Sequence, residues 1–208
     1  MLPRIAKVII SIVLSALSVT LYLTLRGRER KSCMLAMLLC TVGDLFMVNL
    51  FGLGEVSTYP GAAFFMAGHL VYGLGFMKAS REKNYAFRNG GFSTGLVFTA
   101  AVTVLLGVLA FTVPQKPQTL MFFLILIYIA VIGFNLVCQF SYAWSEKGSR
   151  FMIALGMALF LISDFVIFLN MLDVTPAHND LVWATYIPAQ LLILLFCRPL
   201  KGANESAA

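Results

Sequence analysis

Seven long apolar stretches constrain this chain more than any other feature of its sequence. They cover residues 5–25, 32–52, 61–78, 92–112, 119–140, 151–172 and 181–197. A helix that crosses the hydrocarbon core of a bilayer needs about 20 mostly apolar residues. Strands of a membrane β-barrel are about ten residues long and alternate in polarity, whereas these stretches are longer and apolar on every face. We therefore predict an all-α integral membrane protein, a bundle of about seven transmembrane helices.

The composition excludes water-soluble and disordered proteins. Of the 208 residues, 60% are hydrophobic and 12% are charged, and the mean hydropathy is +0.90. Soluble domains are about 45–50% apolar and about 25% charged, and disorder requires low hydrophobicity with high charge. The polar segments are too short to form a second domain. We predict a single transmembrane helical domain over residues 1–208, with residues 201–208 as a flexible cytoplasmic tail.

Basic residues are distributed unevenly among the polar segments. Segments 26–31, 78–91 and 145–150, together with the C-terminal tail, contain twelve Lys and Arg, and the rest of the chain contains three. Short loops rich in Lys and Arg stay in the cytoplasm. The sequence predicts a multi-pass protein of the cell (inner) membrane, with the N-terminus outside and the C-terminus in the cytoplasm. The net charge of +6 then reflects topology, and we expect no nucleic-acid partner.

The first apolar stretch has a second interpretation, as a cleavable signal peptide. It follows a basic start and contains small residues, which are features of such peptides. Cleavage would move the basic segment 26–31 to the outer face, against the charge rule. The stretch also continues through Leu25, which is long for a signal peptide. We favour a retained first helix.

No motif predicts a metal, a cofactor or a disulfide. No cysteine pair has the CxxC spacing of a zinc site, and none of the cysteines falls in an outer loop, where oxidation would favour a bridge. We interpret all four as small apolar packing residues. They are Cys33, Cys40, Cys138 and Cys197.

Three strongly ionisable side chains lie deep inside predicted spans. Asp44, His69 and Asp164 each lie eight or nine residues inside the outer boundary, which corresponds to about 12 Å at 1.5 Å per residue. One interpretation is that each of them only ties two helices together, but hydrogen bonds inside membranes average about 0.6 kcal/mol, which is little against the cost of burying a charge. Three such groups at one level favour a functional site. Lys7, near a helix end, is expected to extend to the headgroups.

Further polar residues lie on faces that match these three groups. Tyr72 follows His69 by three residues, and Tyr186 and Gln190 are four apart in the last span, with Pro188 between them. We predict a polar pocket among the second, third, sixth and seventh helices. Glycines should let the third helix approach its neighbours closely. These glycines are Gly61, Gly68, Gly73 and Gly75, and the expected apolar walls of the pocket are Phe46, Phe65 and Phe165.

Other polar residues and a sequence similarity have structural interpretations. Asn135 and Gln139 are read as a structural pair, and His178 with Asp180 as a solvated outer loop. CTVGDLFMV around Asp44 is similar to FLISDFVIF 120 residues later. A parallel internal repeat that relates helices 1–3 to helices 5–7 is one interpretation of that similarity.

Two carboxylates in an apolar pocket do not both stay ionised, so one is a neutral acid and the other an anion. Such a pair suits acid-catalysed cleavage through an oxocarbenium-like cation, as in glycoside hydrolysis. The GxSxG and HExxH motifs of serine and zinc hydrolases are missing from the sequence.

Four short motifs occur in order along the chain: GDLFM at 43–47, FFMAGHLVYGLGF at 64–76, SDFVIF at 163–168 and TYIPAQ at 185–190. Their order and spacing resemble the YhhN-like family of lysoplasmalogenases. The resemblance implies hydrolysis of the vinyl ether bond of lysoplasmalogens to a fatty aldehyde and glycerophosphoethanolamine or glycerophosphocholine. It also implies eight spans, one more than the seven stretches counted here.

Carried onto this sequence, the family's polar site falls on three catalytic and three substrate-binding candidates. The catalytic candidates are Asp44, Asp164 and His69, and the substrate-binding candidates are Tyr72, Tyr186 and Gln190. One aspartate would protonate the vinyl ether, the other would stabilise the cation, and His69 would hold or relay a proton. The sequence does not distinguish the two aspartates. The expected partners are a lysophospholipid substrate and membrane lipid.

Two other functions remain open at this point. Buried Asp and His also occur in proton relays, so a small proton-coupled transporter is one alternative. A non-catalytic lipid-binding protein is the other. A seven-helix photoreceptor needs a Schiff-base lysine in its last span, and residues 180–196 contain none.

Overall fold

The computed structural model describes residues 3–25, 28–112, 119–145, 151–171 and 179–197. Seven α-helices make up most of this part of the chain, and it contains no strand. They are α1 (Arg4–Leu25), α2 (Arg28–Met47), α3 (Thr58–Glu82), α4 (Gly90–Thr112), α5 (Thr119–Ser145), α6 (Phe151–Met171) and α7 (Asn179–Phe196). The prediction of an all-α bundle is confirmed.

Five helices, α1, α3, α4, α5 and α6, are long and apolar enough to cross a membrane. The other two fall short for visible reasons. α2 begins with the polar sequence RERK. The apolar part of α7, Asp180–Phe196, is shorter than the other five apolar helices. Large apolar side chains such as Val97 and Val104 lie exposed on the outside of the bundle, where lipid would cover them. The chain is a multi-pass membrane protein.

Six helices form a closed ring, and α4 packs outside it. Around the ring α1 contacts α2, α2 contacts α3, α3 contacts α5, α5 contacts α6, and α6 contacts α7. α7 closes the ring because it also contacts α1 and α2. α4 packs mainly against α5. Side chains that point into this ring therefore come from six different helices.

Glycines let α3 lie close to its neighbours, as predicted. A Cβ atom at Gly68 would lie 2.8 Å from Cys40 Sγ on α2, and one at Gly73 would lie 2.7 Å from the Phe134 ring on α5. Both distances are below van der Waals contact, so a side chain at either position would push two helices apart.

The second helix ends earlier than predicted. Its apolar stretch continues to residue 52, but α2 ends at Met47. Asn49 has φ 52° and Gly52 has φ 71°, and Asn and Gly are the residues that most readily adopt this left-handed conformation. A turn and a 3-10 helix, Gly54–Ser57, then lead into α3. Leu50 and Phe51 continue the apolar pattern beyond the end of the helix, so hydropathy alone predicts a longer helix.

The sequence predicts an outer loop with His178 and Asp180 and a C-terminal tail, and of these the structure describes Asp180. Asp180 is exposed in the first turn of α7, where a carboxylate is favourable at a helix N-terminus, so the prediction of a loop at this residue was wrong. His178 and the predicted tail at 201–208 lie outside the described residues.

Two structural facts define the ends of the bundle. Arg4 begins α1 at one end, which we call the Arg4 end, and Glu29 lies in the first turn of α2 at the opposite end. α3 and α7 begin at the Arg4 end, whereas α2 and α6 end there.

Candidate active site

Asp44 and Asp164 line the same small cavity inside the ring. The cavity has a volume of about 40 Å³, enough for about three water molecules at roughly 10–15 Å³ of probe volume each. Both aspartates are buried, with exposed fractions of 4% and 2%. Among the described residues, the lining is Asp44, Met47, Phe65, Ser163, Asp164, Ile167, Val182, Trp183 and Tyr186. These side chains come from α2, α3, α6 and α7, as predicted.

Asp44 is held by two hydroxyl groups. Ser11 Oγ donates to Asp44 Oδ2 at 2.8 Å, and the Tyr186 hydroxyl donates to the same oxygen at 3.0 Å. Ser11 belongs to α1, which is not among the four helices predicted to form the pocket. Ser15 on the same face is 2.6 Å from Thr41. The signal was present as a buried stripe of serines spaced three and four residues apart on α1, at Ser11, Ser15 and Ser18.

Asp164 lies against His69 and a tyrosine from α5. His69 Nε2 is 3.1 Å from Asp164 Oδ2, and the Tyr128 hydroxyl also forms a hydrogen bond with Asp164. Both His69 and Tyr128 are buried. Sequence reasoning missed Tyr128 because a tyrosine within an apolar run has no periodic partner that marks it.

Two amides on α5 determine which His69 nitrogen carries the proton. Gln139 Nε2 donates to Asn135 Oδ1 at 2.9 Å, which turns the Asn135 amide nitrogen toward His69 Nδ1 at 2.9 Å. His69 Nδ1 therefore accepts a hydrogen bond, and Nε2–H donates to Asp164. Asn135 and Gln139, predicted to be a structural pair, adjoin the candidate site through His69.

Tyr72 and Gln190 contact each other, one helical turn further from the Arg4 end. The Tyr72 hydroxyl donates to Gln190 Oε1 at 2.8 Å, and both side chains have an exposed fraction of 0%. Neither is among the described residues that line the aspartate cavity. Of the six predicted site residues, Asp44, Asp164 and Tyr186 surround the cavity, His69 lies behind Asp164, and Tyr72 and Gln190 form a separate pair.

The aromatic walls match the prediction at one position of three. Phe65 lines the cavity and packs edge-on against Tyr186, with 6.1 Å between ring centroids. Phe46 instead packs against Phe51 and Phe64, and Phe165 is half-buried against the core.

A larger cavity of about 400 Å³ adjoins the aspartate cavity at the Arg4 end, and we call it the vestibule. The two cavities share four lining residues, Met47, Ile167, Val182 and Trp183. These four side chains therefore separate the vestibule from the aspartates. The other described residues of the vestibule are Arg4, Lys7, Val48, Thr58 and Asn170. Lys7, predicted to extend to the headgroups, places Nζ 5.9 Å from the centre of the Trp183 ring.

The polar groups of the site suit acid–base chemistry. In the described ranges, no three His, Cys, Asp or Glu side chains are grouped so that they could hold a metal ion. All four cysteines are buried and unbridged, with Cys33 Sγ 3.1 Å from Cys197 Sγ. What the cavity does combine is two carboxylates, a tyrosine hydroxyl and an imidazole adjacent to one carboxylate.

One comparison with known proteins gives a match. The model of the YhhN family matches residues 3–196, nearly the full chain. No curated protein and no solved structure shows a significant match. The family match includes all seven helices and each residue of the aspartate cavity. This chain thus belongs to the YhhN family, the lysoplasmalogenase family.

Proposed function

We propose that this protein is a membrane hydrolase that cleaves the vinyl ether bond of lysoplasmalogens, yielding a fatty aldehyde and a glycerophospho-headgroup. The observation that carries the proposal is that Asp44 and Asp164, from different helices, share one buried cavity with room for water. Membership of the lysoplasmalogenase family supports the choice of substrate.

The reaction consumes one water molecule and needs an acid and an anion. A proton adds to the β-carbon of the vinyl ether, which leaves an oxocarbenium ion at the carbon bonded to the ether oxygen. Water adds to that carbon and loses a proton, giving a hemiacetal. The hemiacetal breaks its bond to the glycerol oxygen, and the products are the aldehyde and a glycerol hydroxyl group. An acid near the β-carbon and an anion near the cation would both lower the barrier.

The hydrogen bonds of the two aspartates differ in a way that assigns these roles. Asp164 accepts a hydrogen bond from the Nε2–H of His69, and such a donor stabilises the carboxylate anion. Asp44 receives hydrogen bonds from the neutral hydroxyls of Ser11 and Tyr186 at Oδ2, which leaves Oδ1 to carry a proton. In our proposal Asp44 is the acid, Asp164 is the anion that stabilises the cation and orients water, and His69 orients Asp164 through its Nε2–H.

The remaining candidates support the two aspartates. Tyr186 orients Asp44, and the Tyr72–Gln190 pair, which lies one turn deeper and outside the cavity lining, would support the surrounding helices instead of contacting the ether oxygen. The vestibule supplies a route for a single-chain lipid from the Arg4 end. In the cell membrane, with the N-terminus outside, that route would begin in the outer leaflet.

The test is release of aldehyde from lysoplasmalogen in detergent micelles by the purified protein. We expect Asp44→Asn and Asp164→Asn each to lower kcat about 100-fold or more, because a positioned acid or base contributes roughly 10²–10⁴ to a rate. Asp180→Asn is the matched control, since Asp180 is exposed on α7, and it should retain full activity. Wild-type activity in both variants would exclude the mechanism, and no aldehyde release by wild-type protein would exclude the function.

A further inference from the structure

The vestibule is lined by positive charge on one side. Arg4 and Lys7 are the two ionisable side chains among its described lining residues, and no carboxylate is among them. Both cations come from the first turns of α1. Thr58, Asn170 and Trp183, from α3, α6 and α7, line it as well. A cavity of about 400 Å³ is within the usual range for small-molecule sites.

Contacts within the protein keep the two cations near this cavity. Lys7 Nζ lies over the Trp183 ring, 5.9 Å from its centre, within the range of a cation–π contact. The Arg4 guanidinium donates a hydrogen bond to the backbone carbonyl of Asn49. Lys7 is half-buried, so part of its charge faces the protein.

α1 connects the cations to the catalytic aspartate by a fixed spacing. Arg4, Lys7 and Ser11 are three and four residues apart, so they share one face of the helix. Ser11 donates to Asp44 at 2.8 Å. Four residues at 1.5 Å each place the Lys7 Cα about 6 Å from the Ser11 Cα along the helix axis, toward the Arg4 end. A ligand bound at Lys7 would therefore reach the level of Asp44 with only a few bonds.

We propose that Arg4 and Lys7 bind the phosphodiester group of the substrate at the mouth of the aspartate cavity and so select phosphate-bearing ethers. The inference rests on the proposed function. Three glycerol carbons separate the phosphate ester oxygen from the ether oxygen in a lysoplasmalogen, which is the short reach that the spacing on α1 requires. Arginine and lysine are the side chains best suited to phosphate, and the Trp183 ring would lie against the glycerol backbone.

Kinetics on two substrates test the proposal. The double variant Arg4→Gln and Lys7→Gln should raise KM for lysoplasmalogen roughly tenfold or more, since each lost contact is a charge-assisted hydrogen bond. It should leave kcat within about twofold, and KM for a 1-alkenylglycerol without phosphate should not change. Arg88→Gln removes an exposed basic residue far from the vestibule and serves as the control. An equal rise in KM for both substrates, the result expected of residues that only anchor α1 at the membrane surface, would overturn the proposal.

A binding measurement separates this site from the catalytic proposal. In a Trp144→Phe background, Trp183 fluorescence reports the vestibule, and the probe is 1-acyl-lysophosphatidylethanolamine, which has no vinyl ether. We expect the probe to change the fluorescence, and monoacylglycerol and inorganic phosphate to act at least tenfold more weakly. Equal binding of inorganic phosphate, or binding that survives the double substitution, would overturn the lipid headgroup assignment. Binding that depends on both cations in a protein that releases no aldehyde would disprove the proposed function and leave the site intact.

Discussion

At the scale of single residues, the direction of the hydrogen bonds around His69 depends on one amide. Gln139 orients Asn135, and Asn135 donates to His69 Nδ1 at 2.9 Å, which leaves Nε2–H for Asp164. Without that donor the imidazole can adopt the other tautomer, and its contact with Asp164 then lacks a proton. Asn135 is thus a positioning residue, because it acts on Asp164 through His69.

We expect Asn135→Leu to lower kcat for aldehyde release roughly tenfold to 100-fold, since an unpartnered buried polar group costs about 1–3 kcal/mol. KM should stay within about twofold, because Asn135 lies outside the cavity lining. Thr103→Val, which removes an exposed hydroxyl that donates to the Thr99 carbonyl of its own helix, is the control for a polar-to-apolar change. A rise in KM at constant kcat, or a loss of activity that only follows a lower Tm, would contradict the positioning role.

The site residues that could be predicted from the sequence are costlier to bury in a membrane than those that could not. Asp44, His69 and Asp164 were recognised because an ionisable group in a span is expensive and rare. Ser11, Tyr128 and Asn135 also contact these three groups, yet neutral hydroxyls and amides are common in membrane helices and bond readily to their own backbone. Their partners lie on helices far away in sequence, so only the packing of the ring shows which carboxylate or imidazole each one meets.

At the scale of helices, the contact of α2 with α3 depends on a missing side chain. A Cβ atom at Gly68 would lie 2.8 Å from Cys40 Sγ and 3.2 Å from the Ala36 carbonyl oxygen. Asp44 lies one turn beyond Cys40 on α2, and His69 follows Gly68 directly on α3. A shift between these two helices therefore displaces both catalytic candidates.

We predict that Gly68→Ala destabilises the folded protein by about 1–3 kcal/mol, the usual cost of overpacking, and lowers its Tm in detergent. Gly107→Ala is the matched control, because a Cβ atom there meets no atom of the described residues within 4 Å and alanine favours the helix. Adding Cys40→Ala to Gly68→Ala should restore part of the lost Tm. If Gly68→Ala and Gly107→Ala both have the Tm of the wild-type protein, α2 and α3 do not pack as closely as described.

The helix boundaries show where a hydropathy pattern stops being informative. The seven apolar stretches predicted seven helices in nearly the right places, because burial in lipid requires long apolar runs. The end of α2 was misjudged since Leu50 and Phe51 continue the apolar pattern into a turn, where they are 47% and 54% exposed. The left-handed backbone conformation of Asn49 and Gly52 ends the helix. A hydropathy pattern does not report backbone conformation.

At the scale of the whole molecule, the closed ring explains why the site includes helices that the motifs do not mark. Both aspartates belong to motif-bearing helices, whereas α1 and α5 contribute hydrogen-bond donors without any motif. Since α7 contacts α1 as well as α6, Ser11 and Tyr186 reach the same carboxylate oxygen from two sides. The vestibule opens where α1, α3 and α7 begin, so the orientation of the chain decides which leaflet supplies the lipid.

We predict that the loop between α2 and α3 faces the outside and the loop between α3 and α4 faces the cytoplasm, because basic segments remain cytoplasmic. Leu53→Cys and Ala86→Cys place single thiols at exposed positions in these two loops. The four native cysteines are buried, so background labelling should be low. A membrane-impermeant maleimide applied to intact cells should label Leu53→Cys within minutes and Ala86→Cys only after lysis. The reverse pattern would place the vestibule, and with it Arg4 and Lys7, on the cytoplasmic leaflet, and the lipid substrate would then have to be supplied from inside the cell.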